Sequence, residues 1–215
     1  MRVVGTIFLI GIVTFAMLAC LGVMYLKIVI IPNAGIELQS YTPNLTTNVY
    51  ATNSAGEDQI VQTLYGEENR VWVEFDDIPQ YMKDAAVSIE DHRFYEHNGV
   101  DWLRTARGVL SMFTGQDIQG GSTITQQLIK NLTTEDQVTV KRKVTEIFRA
   151  LEFEKEHDKD EILEYYLNYI YLGNQYYGIS TAARNYFDKD VSELTLAECA
   201  SIIGITNNPS KYIIL

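Results

Sequence analysis

The order of apolar and polar positions divides the chain into one unbroken apolar run, a short alternating stretch and a long stretch with helical spacing. From Val3 to Leu26 the sequence holds 24 residues without a charge, VVGTIFLIGIVTFAMLACLGVMYL, between Arg2 and Lys27. A helix needs about 20 apolar residues to cross a bilayer core. The rival is a secretory signal peptide, whose apolar core runs to about 7–15 residues and ends at a small-residue cleavage site. This run is longer, and no such site precedes Lys27. Met17-Leu18-Ala19-Cys20 is faintly like a lipoprotein cleavage site, but Cys20 lies inside the run. Residues 1–30 therefore read as an N-terminal tip and an uncleaved transmembrane anchor. One Arg and the amino terminus against one Lys leave its orientation open.

Residues 31–47, IPNAGIELQSYTPNLTT, carry polar and turn-forming types and read as a juxtamembrane linker. Val49–Thr52 and Ile60–Tyr65 have strand character and flank a polar turn at 53–58. A third run, Arg70–Phe75, follows Gly66-Glu67-Glu68-Asn69, so the expectation is a small β-hairpin or meander. After Pro79, suited to a first helical turn, the pattern becomes helical. Helices are expected at Gln80–Asp91, Trp102–Phe113, Thr123–Asn131, Val138–Glu156, Lys159–Ile170, Ile179–Phe187 and Thr195–Ile205. Val140, Val144, Ile147, Phe148 and Leu151 recur at steps of three and four and predict the buried stripe of the fifth. Glycine-bearing breaks at 115–121 and 173–178, and the turn Asp188-Lys189-Asp190, separate the helices. The chain reads as one mainly α domain, 48–215, on a membrane stalk.

Composition narrows the function classes. Asp and Glu number 28 against 17 Lys and Arg, which argues against nucleic acid as a partner because phosphate backbones demand a basic face. The two cysteines, Cys20 and Cys199, sit far apart and form no disulfide framework. Three histidines without a cysteine cluster offer no zinc set.

Chemistry gathers in four places. Glu90-Asp91-His92-Arg93-Phe94-Tyr95-Glu96-His97-Asn98-Gly99 puts acidic, basic and aromatic groups where a helix ends, although charges collect at helix termini anyway. Gly120-Gly121-Ser122-Thr123-Ile124-Thr125-Gln126-Gln127-Leu128-Ile129-Lys130-Asn131 allows close backbone approach and caps a helix whose N-terminus suits phosphate. An ordinary capped helix would carry the same opening, but not two glutamines and a lysine on its next turns. Arg142 and Glu146 share a helix face, which alone could be a surface pair. The aromatics of Glu164–Gly173 and Tyr177-Gly178-Ile179 read first as packing.

Taken together and in order, EDHRFYEHNG, GGSTITQQLIKN, RKVTE, ILEYYLNYIYLG with YGI, and LTLAECASIIG resemble the peptidoglycan glycosyltransferases of family 51. These are the transglycosylase half of class A penicillin-binding proteins and the monofunctional transglycosylases. The motifs run from Glu90 to Gly204, and Val49–Pro79 looks like the family's entry region. The resemblance implies a lysozyme-like fold. It implies lipid II as substrate, polymerised with inversion by transfer from an undecaprenyl-pyrophosphate-linked donor to an acceptor sugar hydroxyl. It also implies work on the outer face of the bacterial cytoplasmic membrane, with the tip inside, alongside the growing glycan chain and a cell-wall synthesis complex. Glu90 falls at the family's base, and Glu146 at its second acidic position, where it would position donor or pyrophosphate, orient Lys130 or Arg142, or assist proton transfer. Asp91 would order the site. Lys130, Arg107 and Arg142 would supply positive charge to the pyrophosphate, and the segment opening at Ser122 and Thr123 its hydrogen-bond donors. Phe94, Gln126 and Gln127 would shape the sugar cleft, supported by Asn168 and Tyr171. Leu110–Phe113 and the following glycine-bearing stretch resemble a segment that dips into the membrane. No cofactor is required; a divalent cation (Mg or Mn) is compatible, with no site assigned.

Some positions depart from the family pattern. Val138 stands where an additional Arg is common, and Ile205-Thr206-Asn207-Asn208-Pro209 keeps only the outline of a leucine-proline ending. No Ser-x-x-Lys transpeptidase motif occurs in the 215 residues. Two forms fit: the N-terminal part of a bifunctional penicillin-binding protein, or a short monofunctional enzyme. The rival functions are a lysozyme-like hydrolase and an inactive scaffold; the cations around the phosphate-compatible loop favour synthesis over cleavage.

Overall fold

The computed structural model describes residues 2–33, 35–36, 38, 47–54, 56–64, 69–114, 120–133 and 139–212. It begins with a helix α1, Arg2–Tyr25, continued by a π-helical turn at Leu26–Ile30 and a 3-10 turn at Ile31–Asn33. Within Val3–Ile30 the most apolar window has a mean hydropathy of 2.6 and is 0% buried within the chain. A helix of this length and composition is long and apolar enough to cross a bilayer. Its foot is different. Ile30 is buried, and the turns at Leu26–Asn33 touch α5 (Val140–Glu156).

Ile36 and Leu38 are also buried in the domain core. Part of the expected linker thus packs into the core through two of its apolar side chains; 39–46 lie outside the described residues. The hairpin is as expected: β1 (Thr47–Thr52) pairs antiparallel with β2 (Asp58–Leu64), with a bulge between Val49 and Tyr50. Gly56 closes its turn at φ 86, donating to Asn53 O at 3.0 Å.

The third strand departs from expectation. β3 is only Asn69–Arg70, and it pairs parallel with β4 (Tyr176–Tyr177), far along the chain, rather than with the hairpin. The extended segment beyond it is held by side chains instead of a ladder. The N–H groups of Val71, Val73 and Phe75 donate to Thr181 Oγ1 at 3.0 Å, Asn168 Oδ1 at 2.9 Å and Glu164 Oε2 at 3.0 Å. Alternate residues face one way in extended chain, so two helices, α6 (Lys159–Tyr169) and α7 (Ile179–Phe187), act as this strand's partner.

The remaining helices form the domain. α2 (Gln80–Glu90) starts behind Pro79 and lies along α8 (Leu196–Ile205), with Ala85 and Ala86 among its buried residues. α3 is Trp102–Thr114, and α4 (Ile124–Thr133) packs on both α5 and α6. Capping fixes the starts: Thr139 accepts from Arg142 N–H, Asp158 from Glu161 N–H, and Thr195 with Glu198 forms a reciprocal capping box. The turn at Asp188 is left-handed, φ 52.

The buried face of α5 matches the predicted stripe only in part. Ile147 and Leu151 pack against the core, but Val140 is 83% exposed, and Glu146, Ala150 and Phe153 are the residues that face fully inward, at steps of four and three. Phe148 and Leu151 also line a cavity of about 720 Å³ with Ile31, at the foot of α1. Gly99 explains how α5 comes so close to the loop after α2. Its φ is 81, and a Cβ there would lie 2.3 Å from Ala150 O. Phe94, Leu128, Ile129, Ile162, Leu163, Tyr166 and Leu167 fill the centre of the core.

Candidate functional site

The site lies where the C-terminal ends of α2 and α8 meet the start of α4. A cavity of about 350 Å³ is lined by Ile89, Glu90, Arg104, Gly120, Ser122, Gln127, Lys130, Asn131, Thr206 and Asn207. Glu90 is the last residue of α2 and is half-buried. Its Oε2 accepts from Gln127 Nε2 at 2.8 Å, and its Oε1 accepts from the Thr206 hydroxyl. A carboxylate has about four lone-pair sites, so two neutral donors orient it and leave capacity to accept a proton from a bound molecule.

Asp91 does something different one residue on. It is buried, and Oδ2 accepts from the Ile124 N–H at 3.1 Å and lies 3.0 Å from His97 Nε2. Its Oδ1 stands 3.8 Å from Arg104 Nη1. A carboxylate at the first turn of α4 complements the positive end of the helix dipole. Arg104, on α3, joins the pieces: Nε donates to Gly120 O at 2.8 Å and Nη1 to the main-chain oxygen of Glu90. It is held in turn by Asp101, whose Oδ1 accepts the Arg104 N–H at 2.9 Å. Burial would raise the Asp101 carboxyl, but the Arg104 N–H and the Arg93 guanidinium outweigh it and hold the group below its usual range. Burial, reinforced by the charges of Glu90 and Asp91, pushes the Tyr166 phenol well above its usual value.

Beside the cavity a second charged group forms on α5. Glu146 is buried and pairs with Arg142 Nη1 at 2.6 Å and with Lys143 Nζ; the same Nζ donates to Ser122 Oγ at 2.8 Å. Two cations about one carboxylate leave a net positive charge behind Ser122. Lys130 is exposed at the cavity, one helical turn from Gln127.

Glu90, Ser122, Gln127 and Lys130 are thus brought to one cavity, with Asp91 beneath it and Arg142 and Glu146 alongside. Other expected contacts are corrected. Phe94 is fully buried in the core under Lys159, whose Nζ lies 4.3 Å from its ring centroid, so it lines no cleft. Gln126 is fully buried; its Oε1 accepts the Thr123 N–H at 3.0 Å while Thr123 Oγ1 accepts the Gln126 N–H at 3.2 Å. That is a capping box. Thr123 further donates its hydroxyl to Gly99 O at 2.6 Å. The N–H groups of Thr123, Ile124 and Gln126 are therefore already bonded inside the protein, and the start of α4 offers them to no anion. Asn168 holds Val73 at both N–H and C=O and also donates to Glu164 O at 2.9 Å, so it binds chain, not ligand. Arg107 is exposed on α3 and does not line the cavity; Arg104, one turn earlier, does.

Arg104, Lys143 and Thr206 were missed by sequence reasoning. Lys143 lies inside the quoted RKVTE motif, and its step of three to Glu146 was the available signal. Thr206 had none, being 116 positions from Glu90. Leu110 is exposed. Of the segment expected to dip into the membrane, the side chains of 111–114 and all of 115–119 lie outside the described residues, as does Val138. Among the described residues no three His, Cys, Asp or Glu side chains gather as metal ligands, so no residue is assigned to a divalent cation.

A family model described as Transglycosylase matches residues 57–215. Penicillin-binding protein 1A of Neisseria flavescens is 42% identical over 177 residues, covering 82% of this chain and 22% of that protein. The protein of that name from Clostridium perfringens (strain 13 / Type A) is 40% identical over 208 residues, 89% of this chain and 30% of its own. The crystal structure of Penicillin-Binding Protein 1A from Haemophilus influenzae matches with a TM-score of 0.37 and 25% identity, over 78% of this chain and 15% of that one. The chain thus spans under a third of the length of each of these relatives.

Proposed function

Because the chain belongs to the transglycosylase family, the glycosyltransferase domain of penicillin-binding proteins, we propose that it polymerises lipid II into peptidoglycan glycan strands. The observation that carries this reading is the Glu90 carboxylate, oriented by Gln127 and Thr206, in one cavity with the cations Lys130 and Arg104. A sugar hydroxyl is a poor nucleophile and needs a positioned base; a pyrophosphate leaving group needs positive charge where its own negative charge develops. The cavity carries both.

The acceptor lipid II presents its sugar hydroxyl to Glu90, which takes the proton as the oxygen attacks the donor's anomeric carbon. The new β-1,4 bond forms on the face opposite the breaking bond to pyrophosphate, which inverts the centre. The bond electrons leave with undecaprenyl pyrophosphate, and Lys130 and Arg104 stabilise that charge. Arg142 and Lys143, clamped by Glu146, extend the positive surface past Ser122. In this account Glu146 positions cations and Glu90 alone moves the proton.

The lipid chains of donor and leaving group stay in the bilayer, which suits an enzyme whose first helix is long and apolar enough to span it. We place the domain on the outer face and the amino terminus inside, as a single-pass protein within a cell-wall synthesis complex. The test is to supply lipid II to the detergent-solubilised chain and follow glycan. Polymer formed from lipid II supports the reading. Cleavage of preformed glycan without polymer would replace it with a hydrolase.

A further inference from the structure

We propose that Thr206 is a positioning residue for Glu90, supplying a hydrogen bond whose direction reverses as the carboxylate takes up its proton. The proposal rests on the reading of Glu90 as the base. α8 ends at Ile205, and the Thr206 N–H closes the helix on Ile203 O at 3.1 Å. The Thr206 hydroxyl is then within bonding distance of two acceptors, Ile203 O at 2.7 Å and Glu90 Oε1.

A hydroxyl has one proton and two lone pairs, so it donates to one of these at a time. With Glu90 ionised, the charge-assisted bond to Oε1 is the stronger, and Thr206 donates there. Once Glu90 has taken the acceptor's proton, the carboxylic O–H donates to Thr206 Oγ1, and the hydroxyl proton turns to Ile203 O. Both protonation states of Glu90 are satisfied by turning two hydroxyl protons, that of Thr206 and that of the new carboxylic O–H, without backbone movement. Gln127 offers Oε2 only a donor from Nε2, so the reversal belongs to Thr206.

The experiment uses the full chain in detergent, with lipid II as substrate. Thr206→Val keeps the shape and removes the hydroxyl; it should lower kcat about ten- to hundredfold, the loss of one hydrogen bond to a charged group, with KM within about twofold. Thr206→Ser should recover most of that loss. In a Glu90→Gln background, Thr206→Val should cost nothing further, because coupled residues are not additive. A Thr206→Val enzyme with kcat within about twofold of wild type would overturn the proposal. So would a Thr206→Ser enzyme as slow as the valine variant, or an added loss in the Glu90→Gln background. Full activity of Glu90→Gln alone would instead overturn the base assignment itself, whatever the threonine variants do.

Discussion

Replacing Asp91 removes the group that binds three parts of the site together. The side chain is 1% exposed, accepts from the Ile124 N–H at 3.1 Å, lies 3.0 Å from His97 Nε2, and faces Arg104 at 3.8 Å. Asp91→Ala leaves a buried N–H at the first turn of α4 without its acceptor, at about 1–3 kcal/mol. It also strips the charge partner from a half-buried guanidinium and the charge from the helix N-terminus, the latter up to about 2 kcal/mol. A total of about 3–5 kcal/mol follows, in the range for a broken buried ion pair. At roughly 2–4 °C per kcal/mol for a domain of this size, thermal unfolding should fall by roughly 6–20 °C. Asp91→Asn keeps one oxygen for the Ile124 N–H and loses the charge, so it should cost about 1–2 kcal/mol. Circular dichroism melts of both variants in one detergent measure the difference. An alanine variant within about 1 kcal/mol of wild type, or an asparagine variant as unstable as alanine, would refute the reasoning.

Asn168→Ala should destabilise by about 2–4 kcal/mol, because it orphans both polar groups of Val73, and leave the KM for lipid II unchanged; a KM rise without loss of stability would return Asn168 to the binding site. Glu198 is drawn from 4.5 down to about 2 by Lys189 and then by the N–H and hydroxyl of Thr195. A carboxyl lowered on folding contributes stability above its unfolded value and loses it as pH falls towards the folded one. Glu198→Gln should therefore flatten acid destabilisation between about pH 4.5 and 2, read by pH-dependent melts; an unchanged acid limb would refute it. Lys130→Ala should cut turnover about 100-fold or more by removing a cation from the leaving group, with Lys130→Arg recovering part of it; steady-state kinetics showing normal turnover would take Lys130 out of the site.

The sequence made the helices legible through Pro79 before α2, the steps of three and four along α5 and the glycine-bearing breaks between helices. It misjudged segments whose partners are side chains or turns distant in sequence. Arg70–Phe75 has strand composition, but its N–H groups go to Thr181, Asn168 and Glu164, and no local pattern announces that. The apolar stripe of α5 holds in part, with Ile147 and Leu151 on the core and Val140 exposed, while the inner face also carries Glu146, a charge that periodicity sorts to the outside.

At the site, Glu90, Gln127 and Lys130 were legible through their motifs. Phe94, Thr123, Gln126 and Asn168 belong to the same motifs but build the frame: a core ring, a capping box and a strand clamp. A motif cannot separate residues that meet a ligand from residues that shape the place where it sits. Arg104 and Thr206 come to the site only through the packing of α3 and α8.

The central claim is that Glu90 takes the acceptor's proton. Its most direct measurement is glycan polymerisation from lipid II by Glu90→Gln, which keeps an acceptor oxygen and an amide of the same shape in the same cavity. Loss of a positioned base costs about 10²–10⁴-fold. The variant should be a folded protein with the wild-type melting temperature, unchanged lipid II binding and turnover lowered by at least that factor. A folded Glu90→Gln protein that polymerises at the wild-type rate would contradict it.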